Sequence, residues 1–318
     1  MKQTVIITGG NSGLGYQCAL TLAQQKTWHI VIASRNPKRV AKAVERLKRE
    51  SGHTDIEGGA LDLGSFDSIR SFANSWPQKE RPPLTALICN AGLSPAKNSQ
   101  TVDGIDTIFG VNHLGHYLLI HLMSQYLKEK GRLVLVSSGT HIPEHKLARR
   151  MQVPVPKYVN ARDLAYPDQA LEAIRIDSPP QRYSTSKLCN VLAAYEFARQ
   201  FEEAGMEIGV YALDPGLMPG TGLARDFPAA LRQIFFGLIG FAGRWVDGIR
   251  FPETSGEHLA RLVNDPALSS RSALYFDGLN EARSSADSYD RDKAADLWNT
   301  SSALCQLDPS ETRLAITI

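Results

Sequence analysis

The sequence predicts a doubly wound α/β fold, in which a parallel sheet of about seven strands lies between two layers of helices in a single domain. Three observations predict it. Short runs of Val, Ile and Leu alternate along the chain with longer segments of helical periodicity. The first apolar run leads directly into a glycine-rich loop, TGGNSGLG. The chain has 318 residues, which is enough to bury a large core.

The apolar runs are short, as is typical of strands that are buried on both faces. They span residues 4–8, 29–33, 57–61, 85–89, 133–137, 209–213 and 274–276. The helical segments include residues 14–25, 37–50, 65–76, 102–130 and 183–204. Right-handed crossovers bring the carboxyl ends of the parallel strands to one edge of the sheet, where we expect the ligand.

Two stretches interrupt this alternation. Residues 139–182 contain six prolines and are predicted to form a long irregular insertion. Residues 215–250 mix glycine, proline and large apolar side chains, which predicts either a flap over a lipophilic ligand or an excursion packed on the core. The apolar flap residues are Leu217, Met218, Phe227, Phe235, Phe236 and Phe241. Residues 284–318 form a C-terminal tail.

Composition and charge exclude several classes of function. The formal net charge is +2 and both signs are interspersed, so no nucleic-acid surface is predicted. Four cysteines without metal-ligand spacing indicate buried thiols in a reducing compartment. The N-terminus enters the first strand directly, so we expect no signal peptide and a cytoplasmic protein. The most apolar stretch, residues 231–245, is too short and too interrupted to span a bilayer, although contact with a membrane surface stays open.

The glycine-rich loop has the form that the pyrophosphate of a dinucleotide requires. Gly9 turns the chain off the strand, Gly13 lets phosphates approach the backbone, and Gly15 lets the helix pack close to the sheet. Backbone amides at the start of the helix attract the anion. The predicted contacts in this loop are Thr8, Gly9, Asn11, Ser12, Gly13, Leu14 and Gly15.

The end of the second strand predicts which dinucleotide is bound. An NAD enzyme needs an acidic residue there, whereas this strand ends in the letters ASRN. Arg35, beside Asn36 and helped by Lys38 or Arg39, is suited to grip a 2′-phosphate. The predicted cofactor is therefore NADP(H).

A serine, a tyrosine and a lysine form the predicted catalytic group. Ser138 closes a strand, and Tyr183 and Lys187 lie one helical turn apart in the letters YSTSK. An ammonium about 4 Å from a phenol supplies roughly the 4 kcal/mol that lowers a tyrosine pKa from about 10 to near 7. We therefore expect Tyr183 to be the acid/base, with Ser138 bonded to the substrate oxygen.

With these motifs the chain resembles the short-chain dehydrogenase/reductases over about residues 3–280. The family's TGxxxGxG loop, NAG motif and PG motif correspond to residues 8–15, 90–92 and 215–216, and its active-site asparagine to Asn112. The resemblance implies a Rossmann fold, a lysine that also binds the nicotinamide ribose, and an asparagine that holds a relay water. Further expected cofactor contacts are Asp62, Leu63, Asn90, Ala91, Gly92, Tyr183, Lys187, Pro215, Gly216, Leu217 and Thr221. Helix capping is a second interpretation of Asp62.

His113 and His116 are three residues apart in VNHLGH, a spacing that two metal ligands on a helix can share. No carboxylate or cysteine cluster joins them, so we expect hydrogen-bonding or structural histidines and no metal site.

Within this family, the phrases WHIVIASRN, VNHLGH and YSTSKLCN resemble the light-dependent protochlorophyllide oxidoreductases and, slightly less, the retinol dehydrogenase group. The long spacing between Ser138 and Tyr183 and the tail letters DRDKAADLWNTSSAL favour the first. Two departures oppose the same chemistry, because Asp214 and Leu217 stand where that family carries tyrosine and cysteine. Leucine cannot donate a proton.

The function predicted from the sequence is an NADPH-dependent reductase, or reversible alcohol dehydrogenase, that acts on the carbonyl of a bulky lipophilic molecule. Light-dependent protochlorophyllide reduction is the second hypothesis, and a non-catalytic NADP sensor is the third. A homodimer is left open, because helices 102–130 and 183–204 form the four-helix interface of many relatives but could equally pack on the insertion.

Overall fold

The computed structural model describes residues 2–94, 97–218 and 248–316, in which eight strands form one sheet with the order β3-β2-β1-β4-β5-β6-β7-β8. The strands are β1 Gln3–Thr8, β2 Trp28–Ser34, β3 Ile56–Ala60, β4 Leu84–Cys89, β5 Leu127–Val136, β6 Gly209–Asp214, β7 Leu274–Asp277 and β8 Asn280–Ala282. The first seven are parallel, as predicted. The exposed antiparallel edge strand β8 was not predicted, because its three residues carry no apolar pattern.

The helices lie on both faces of the sheet. Their bounds are α1 Gly13–Gln24, α2 Pro37–Ser51, α3 Phe66–Asn74, α4 Thr107–Phe109, α5 Gly115–Ser124, α6 Lys146–Arg150, α7 Ala161–Ala165, α8 Pro179–Glu203, α9 Pro252–Asn264 and α10 Arg291–Leu304. Side chains of α1, α2 and α9 form one buried apolar cluster with the sheet, and those of α3, α5, α8 and α10 form another. The predicted three-layer α/β/α fold is confirmed.

The predicted helix over residues 102–130 is wrong at both ends. Helical backbone begins at Thr107, because the Asp106 carboxylate accepts hydrogen bonds from the first amides of the helix, at 3.1 and 3.0 Å. A π-helical turn, Gly110–Leu114, joins α4 to α5. Residues 127–130 belong to β5, where Leu127 pairs with Leu84.

Helix α8 begins earlier than predicted, at Pro179. Proline is tolerated in the first helical turn because the amide hydrogen that it lacks has no partner there. The rest of residues 139–182 is irregular, as predicted, with only the short helices α6 and α7 and two 3₁₀ turns.

The C-terminal helix α10 packs across the helices that the sequence left open for a dimer. The Trp298 ring lies 5.2 Å from the ring of Tyr117 and 4.8 Å from that of His121, both on α5. It lies 4.9 Å from the ring of Phe197 on α8. The chain's own tail therefore covers part of both helices.

The prediction of buried thiols is confirmed, because all four cysteines are free and buried, whereas the reducing compartment stays a prediction. Among the residues that the structure describes, no helix is both long and apolar enough to cross a membrane. Residues 231–245 and most of the predicted flap lie outside these residues. A cytoplasmic location stays a prediction.

Candidate active site

The loop between β1 and α1 presents an open helix N-terminus. Gly9 and Gly13 adopt φ values of +67° and +55°, which favour glycine. A Cβ on Gly15 would lie 2.5 Å from Asn90 Nδ2, so glycine is required for close packing there. Ser12 precedes α1 but makes no side-chain capping bond. The first amides of α1 are therefore available to an anion such as a pyrophosphate.

Thr8 ties this loop to the end of β4. Its hydroxyl oxygen accepts hydrogen bonds from the amides of Asn90 and Ala91, at 2.9 and 3.0 Å. The Asn90 amide group donates in turn to the Thr8 carbonyl oxygen at 2.7 Å. A Cβ on Gly92 would lie 3.4 Å from Lys187 Nζ, so the end of β4 also adjoins the predicted catalytic lysine.

Beyond β2, the predicted phosphate-binding residues are on the surface. Arg35, Lys38 and Arg39 are exposed, and Arg35 has no hydrogen bond or ion pair within the described parts of the chain. Asn36 caps α2 by accepting from the Arg39 amide at 3.1 Å. Asp62 Oδ1 accepts from the Gly64 amide at 3.0 Å, in the turn before α3. Ser65 caps that helix, so the second interpretation of Asp62, helix capping, is wrong.

The predicted catalytic group is brought together at the carboxyl end of β5. The Tyr183 hydroxyl lies near that of Ser138, close enough for the serine to act on its pKa. Lys187 is buried, donates from Nζ to the Val136 carbonyl oxygen at 3.1 Å, and lies 5.5 Å from the centre of the Tyr183 ring. This arrangement can hold a substrate oxygen beside a phenol and an ammonium.

Burial and Asp214 determine the charges of this group. Burial raises the pKa of Tyr183 well above its ordinary value, the Asp214 carboxylate raises it further, and the neighbouring Ser138 hydroxyl opposes both. Burial lowers the pKa of Lys187 to about 8, with Asp214 opposing. The expectation that Lys187 brings the tyrosine pKa near 7 is therefore wrong for the protein by itself, because desolvation of the phenolate dominates.

Asp214 is a site residue that sequence reasoning noted only as a departure from a related family. It ends β6 with 3% of its surface exposed, and its Oδ1 accepts from the Gly216 amide at 2.9 Å. A Cβ on Gly139 would lie 2.7 Å from both Asp214 Oδ2 and His145 Nε2. Burial raises the pKa of the Asp214 carboxyl. A charged residue at the end of an apolar strand was the signal that could have identified it.

Asn112 lies in the π-helical turn, with its amide group fully bonded. Its Oδ1 accepts from the Leu93 amide at 2.8 Å, and its Nδ2 donates to the Leu93 carbonyl and to Ser186 Oγ, both at 3.0 Å. Its own carbonyl oxygen accepts from His116 Nδ1 at 3.2 Å. The side chain thus anchors α5 to the loop after β4.

The PG motif follows β6 at the same edge. Gly216 has a φ of +79°, and the Pro215 carbonyl accepts from Ser255 Oγ at 2.7 Å. Leu217 pairs with Ile249 in an isolated parallel bridge. The predicted residues that lie outside the described ones are Thr221, Phe227, Phe235, Phe236 and Phe241.

The histidines are hydrogen-bonding residues, as predicted. His113 Nε2 bonds Ser301 Oγ at 3.0 Å, and His116 Nε2 bonds Thr8 Oγ1 at 2.9 Å. In residues 2–94, 97–218 and 248–316, no group of three or more His, Cys, Asp or Glu could hold a metal ion.

Comparison with known proteins agrees with this geometry. The family described as short chain dehydrogenase matches residues 3–145. A protochlorophyllide reductase from Avena sativa is 31% identical over 95% of this chain and 99% of its own length. The chain belongs to the short-chain dehydrogenase/reductase superfamily. A chloroplastic protochlorophyllide reductase from Pisum sativum is 33% identical over 96% of this chain and 78% of its own.

Solved structures show the short-chain dehydrogenase/reductase fold as well. An uncharacterised protein from Mycobacterium paratuberculosis superimposes with a TM-score of 0.68 at 25% identity, covering 96% of this chain and 94% of its own. Salutaridine reductase from Papaver somniferum superimposes with a TM-score of 0.60 over 87% of this chain and 100% of its own. Its 18% identity supports the fold alone.

As a short-chain dehydrogenase/reductase, the protein is an oxidoreductase of a superfamily that uses nicotinamide cofactors. The residues present fit such a group. The uncapped N-terminus of α1 suits its pyrophosphate, and the exposed guanidinium of Arg35 suits a phosphate on its adenosine.

Proposed function

We propose that this protein is an NADPH-dependent reductase that transfers hydride to the carbonyl carbon of a bulky lipophilic small molecule. One observation carries the proposal. The Tyr183 phenol lies near Ser138 and beside the buried Lys187, at the same edge of the sheet as the open N-terminus of α1.

The proposed cofactor contacts divide among three positions. The first amides of α1 hold the pyrophosphate, Arg35 pairs with the 2′-phosphate, and Lys187 binds the nicotinamide ribose. The exposed Arg35 has no acidic partner to displace within the described residues, which favours NADPH over NADH. When bound, NADPH supplies the hydride and leaves as NADP⁺.

The proposed proton donor is Tyr183. Because burial raises its pKa, the phenol keeps its proton until an oxyanion develops beside it. As hydride reaches the carbonyl carbon, the π electron pair moves to oxygen, and that oxygen takes the proton from Tyr183. Ser138 donates a hydrogen bond to the same oxygen, and the ammonium of Lys187 stabilises the phenolate left behind. The phenolate then regains a proton from solvent.

The proposed substrate class depends on the residues after the PG motif. Leu217 follows directly on the catalytic edge, and Met218 after it packs with the buried apolar cluster of α1, α2 and α9. The sequence continues with the phenylalanines of the predicted flap. Apolar side chains that line a substrate site favour a lipophilic carbonyl compound over a small polar one.

Protochlorophyllide reduction is a second candidate, because relatives of that name match 95–96% of this chain at 31–33% identity. Leu217 and Asp214 oppose it, since leucine offers no proton and Asp214 brings a carboxylate to the site. Carbonyl reduction needs neither a thiol nor light.

The two candidates separate in one assay of the purified protein. NADPH oxidation is followed in the dark with lipophilic ketones and aldehydes and with small polar ones, and in a second set with protochlorophyllide before and after illumination. We expect dark oxidation with much higher kcat/KM for the lipophilic carbonyls. Equal kcat/KM for both groups would overturn the substrate class, and chlorophyllide formed only in light would establish the second candidate.

A further inference from the structure

The ring of His116 lies between the nucleotide loop and Asn112, the predicted active-site asparagine. It is 2% exposed on α5. Its Nε2 is 2.9 Å from Thr8 Oγ1, at the start of the glycine-rich loop. Its Nδ1 is 3.2 Å from the main-chain oxygen of Asn112. One side chain therefore touches both halves of the site described above.

The donors and acceptors around this ring determine its tautomer. The Asn112 carbonyl oxygen can only accept, so His116 Nδ1 carries the proton. The hydroxyl oxygen of Thr8 already accepts from two backbone amides, which occupies both of its lone pairs. Its own proton must point elsewhere, and the bare Nε2 of His116 is nearer than the alternative acceptor, the Ile88 carbonyl oxygen at 3.3 Å.

The charged form of the ring does not fit this arrangement. A doubly protonated His116 would direct a third donor at a Thr8 oxygen whose lone pairs are filled. Burial and the nearby ammonium of Lys187 also lower the pKa of His116, to about 4, although the Asn112 carbonyl opposes them. The ring thus accepts toward the nucleotide loop and donates toward Asn112 across the neutral pH range.

We propose that His116 is a positioning residue whose two nitrogens have separate tasks: Nε2 orients Thr8 of the nucleotide loop, and Nδ1 orients the main chain of Asn112 in the π-helical turn. This inference rests on the proposed function. Through Thr8, the first task acts on cofactor affinity. Through Asn112, which also anchors Leu93 and Ser186, the second acts on the geometry around Tyr183 and Lys187.

The two tasks can be removed one at a time. In His116→Asn the amide nitrogen takes the place of Nδ1 and the acceptor toward Thr8 is lost. In His116→Gln the amide oxygen takes the place of Nε2 and the donor toward Asn112 is lost. We expect His116→Asn to raise the Kd of NADPH about tenfold, with kcat changed less than about twofold. We expect His116→Gln to lower kcat about tenfold, with the Kd changed less than about twofold. Each effect corresponds to the loss of one buried hydrogen bond.

His113 supplies the matched control. It is equally buried one turn earlier, but its Nε2 bonds Ser301 of α10, away from the site. His113→Asn should lower the melting temperature while leaving the Kd of NADPH and kcat unchanged. The melting temperature of each His116 variant, measured in parallel, separates a folding defect from a change at the site.

The measurements are NADPH fluorescence titrations for Kd and saturated turnover for kcat. The proposal is supported if His116→Asn changes mainly the Kd and His116→Gln changes mainly kcat. Parallel changes in both quantities, or none in either variant, overturn it and leave His116 a packing residue. A wild-type protein that binds NADPH but reduces no carbonyl compound would refute the proposed function, while the Kd comparison would still decide the cofactor half of this inference.

Discussion

The two sides of the sheet's carboxyl edge differ in whether their charged side chains are exposed or buried. On the nucleotide side, formed by the ends of β1, β2 and β4, the cations available for binding are exposed, Arg35 among them, and the other contacts come from backbone amides. On the catalytic side, formed by the ends of β5 and β6 and the start of α8, Lys187 and Asp214 are buried and have shifted pKa values. Exposed charge selects a ligand by attraction, whereas buried charge sets protonation states. Changes on the first side should therefore alter binding, and changes on the second should alter turnover.

The largest expected effect is on the catalytic side. Tyr183→Phe removes the proton donor but keeps the ring, so we expect kcat to fall about 10²–10⁴-fold, the usual contribution of a positioned acid. Steady-state reduction of a lipophilic carbonyl compound at saturating NADPH measures it. Retention of more than half of the wild-type kcat would mean that another group delivers the proton.

The next effect is on the nucleotide side. Arg35→Ala removes a charged hydrogen-bond donor, so we expect NADPH binding to weaken by about 1.5–3 kcal/mol, with NADH nearly unchanged. Titration with each cofactor measures the difference. Arg46→Ala is a matched control, because Arg46 is exposed on α2 and pairs with Glu50. Equal losses for NADPH and NADH would refute the phosphate contact.

A smaller effect is expected at Asp214. Burial lowers the pKa of Lys187 and the Asp214 carboxylate raises it, so Asp214→Asn should lower that pKa from about 8. The ammonium would then be lost at lower pH, and the alkaline limb of the kcat/KM profile for reduction should move down by about one unit, or about 1.4 kcal/mol. Asp277→Asn is the control, since Asp277 is partly exposed and paired with Arg250. Superimposable profiles would show that Asp214 is uncharged in the working enzyme.

The smallest effect per residue concerns buried histidines behind the site. Burial lowers the pKa of His113 and of His121 to about 3, below the value of about 6.5 in an unfolded chain. Their contribution to stability is complete above pH 6.5 and is lost as pH falls, because only the unfolded chain binds the protons. We expect the free energy of unfolding to drop by about 1 kcal/mol per histidine between pH 7 and 5.5. Urea unfolding at both pH values, with His121→Phe for comparison, should show a shallower drop in the variant; an identical drop would refute this origin.

The sequence predicted those parts of the fold and of the site that depend on a local pattern of residues. Apolar runs locate parallel strands, and parallel strands must end at one edge, so Ser138, Tyr183 and Lys187 were expected to meet and do. Burial is not a local property. The direction of the Tyr183 pKa shift and the role of Asp214 depend on desolvation by distant parts of the chain, which letters alone do not show.

The helices show the same limit. The start of α4 depends on one capping carboxylate, Asp106, within a segment of continuous helical periodicity. The covering of α5 and α8 by α10 depends on tertiary contacts of Trp298. Periodicity predicts that a segment is helical but not which surface it meets.

The most direct test measures binding and chemistry in the same samples. Wild type, Arg35→Ala and Tyr183→Phe are each titrated with NADPH, and the rate of a single turnover is then recorded at saturating NADPH and carbonyl substrate. The account predicts that Arg35→Ala raises the Kd and keeps the saturated rate, whereas Tyr183→Phe keeps the Kd and loses the rate. If both variants lose affinity and rate together, the separation of the two sides is contradicted.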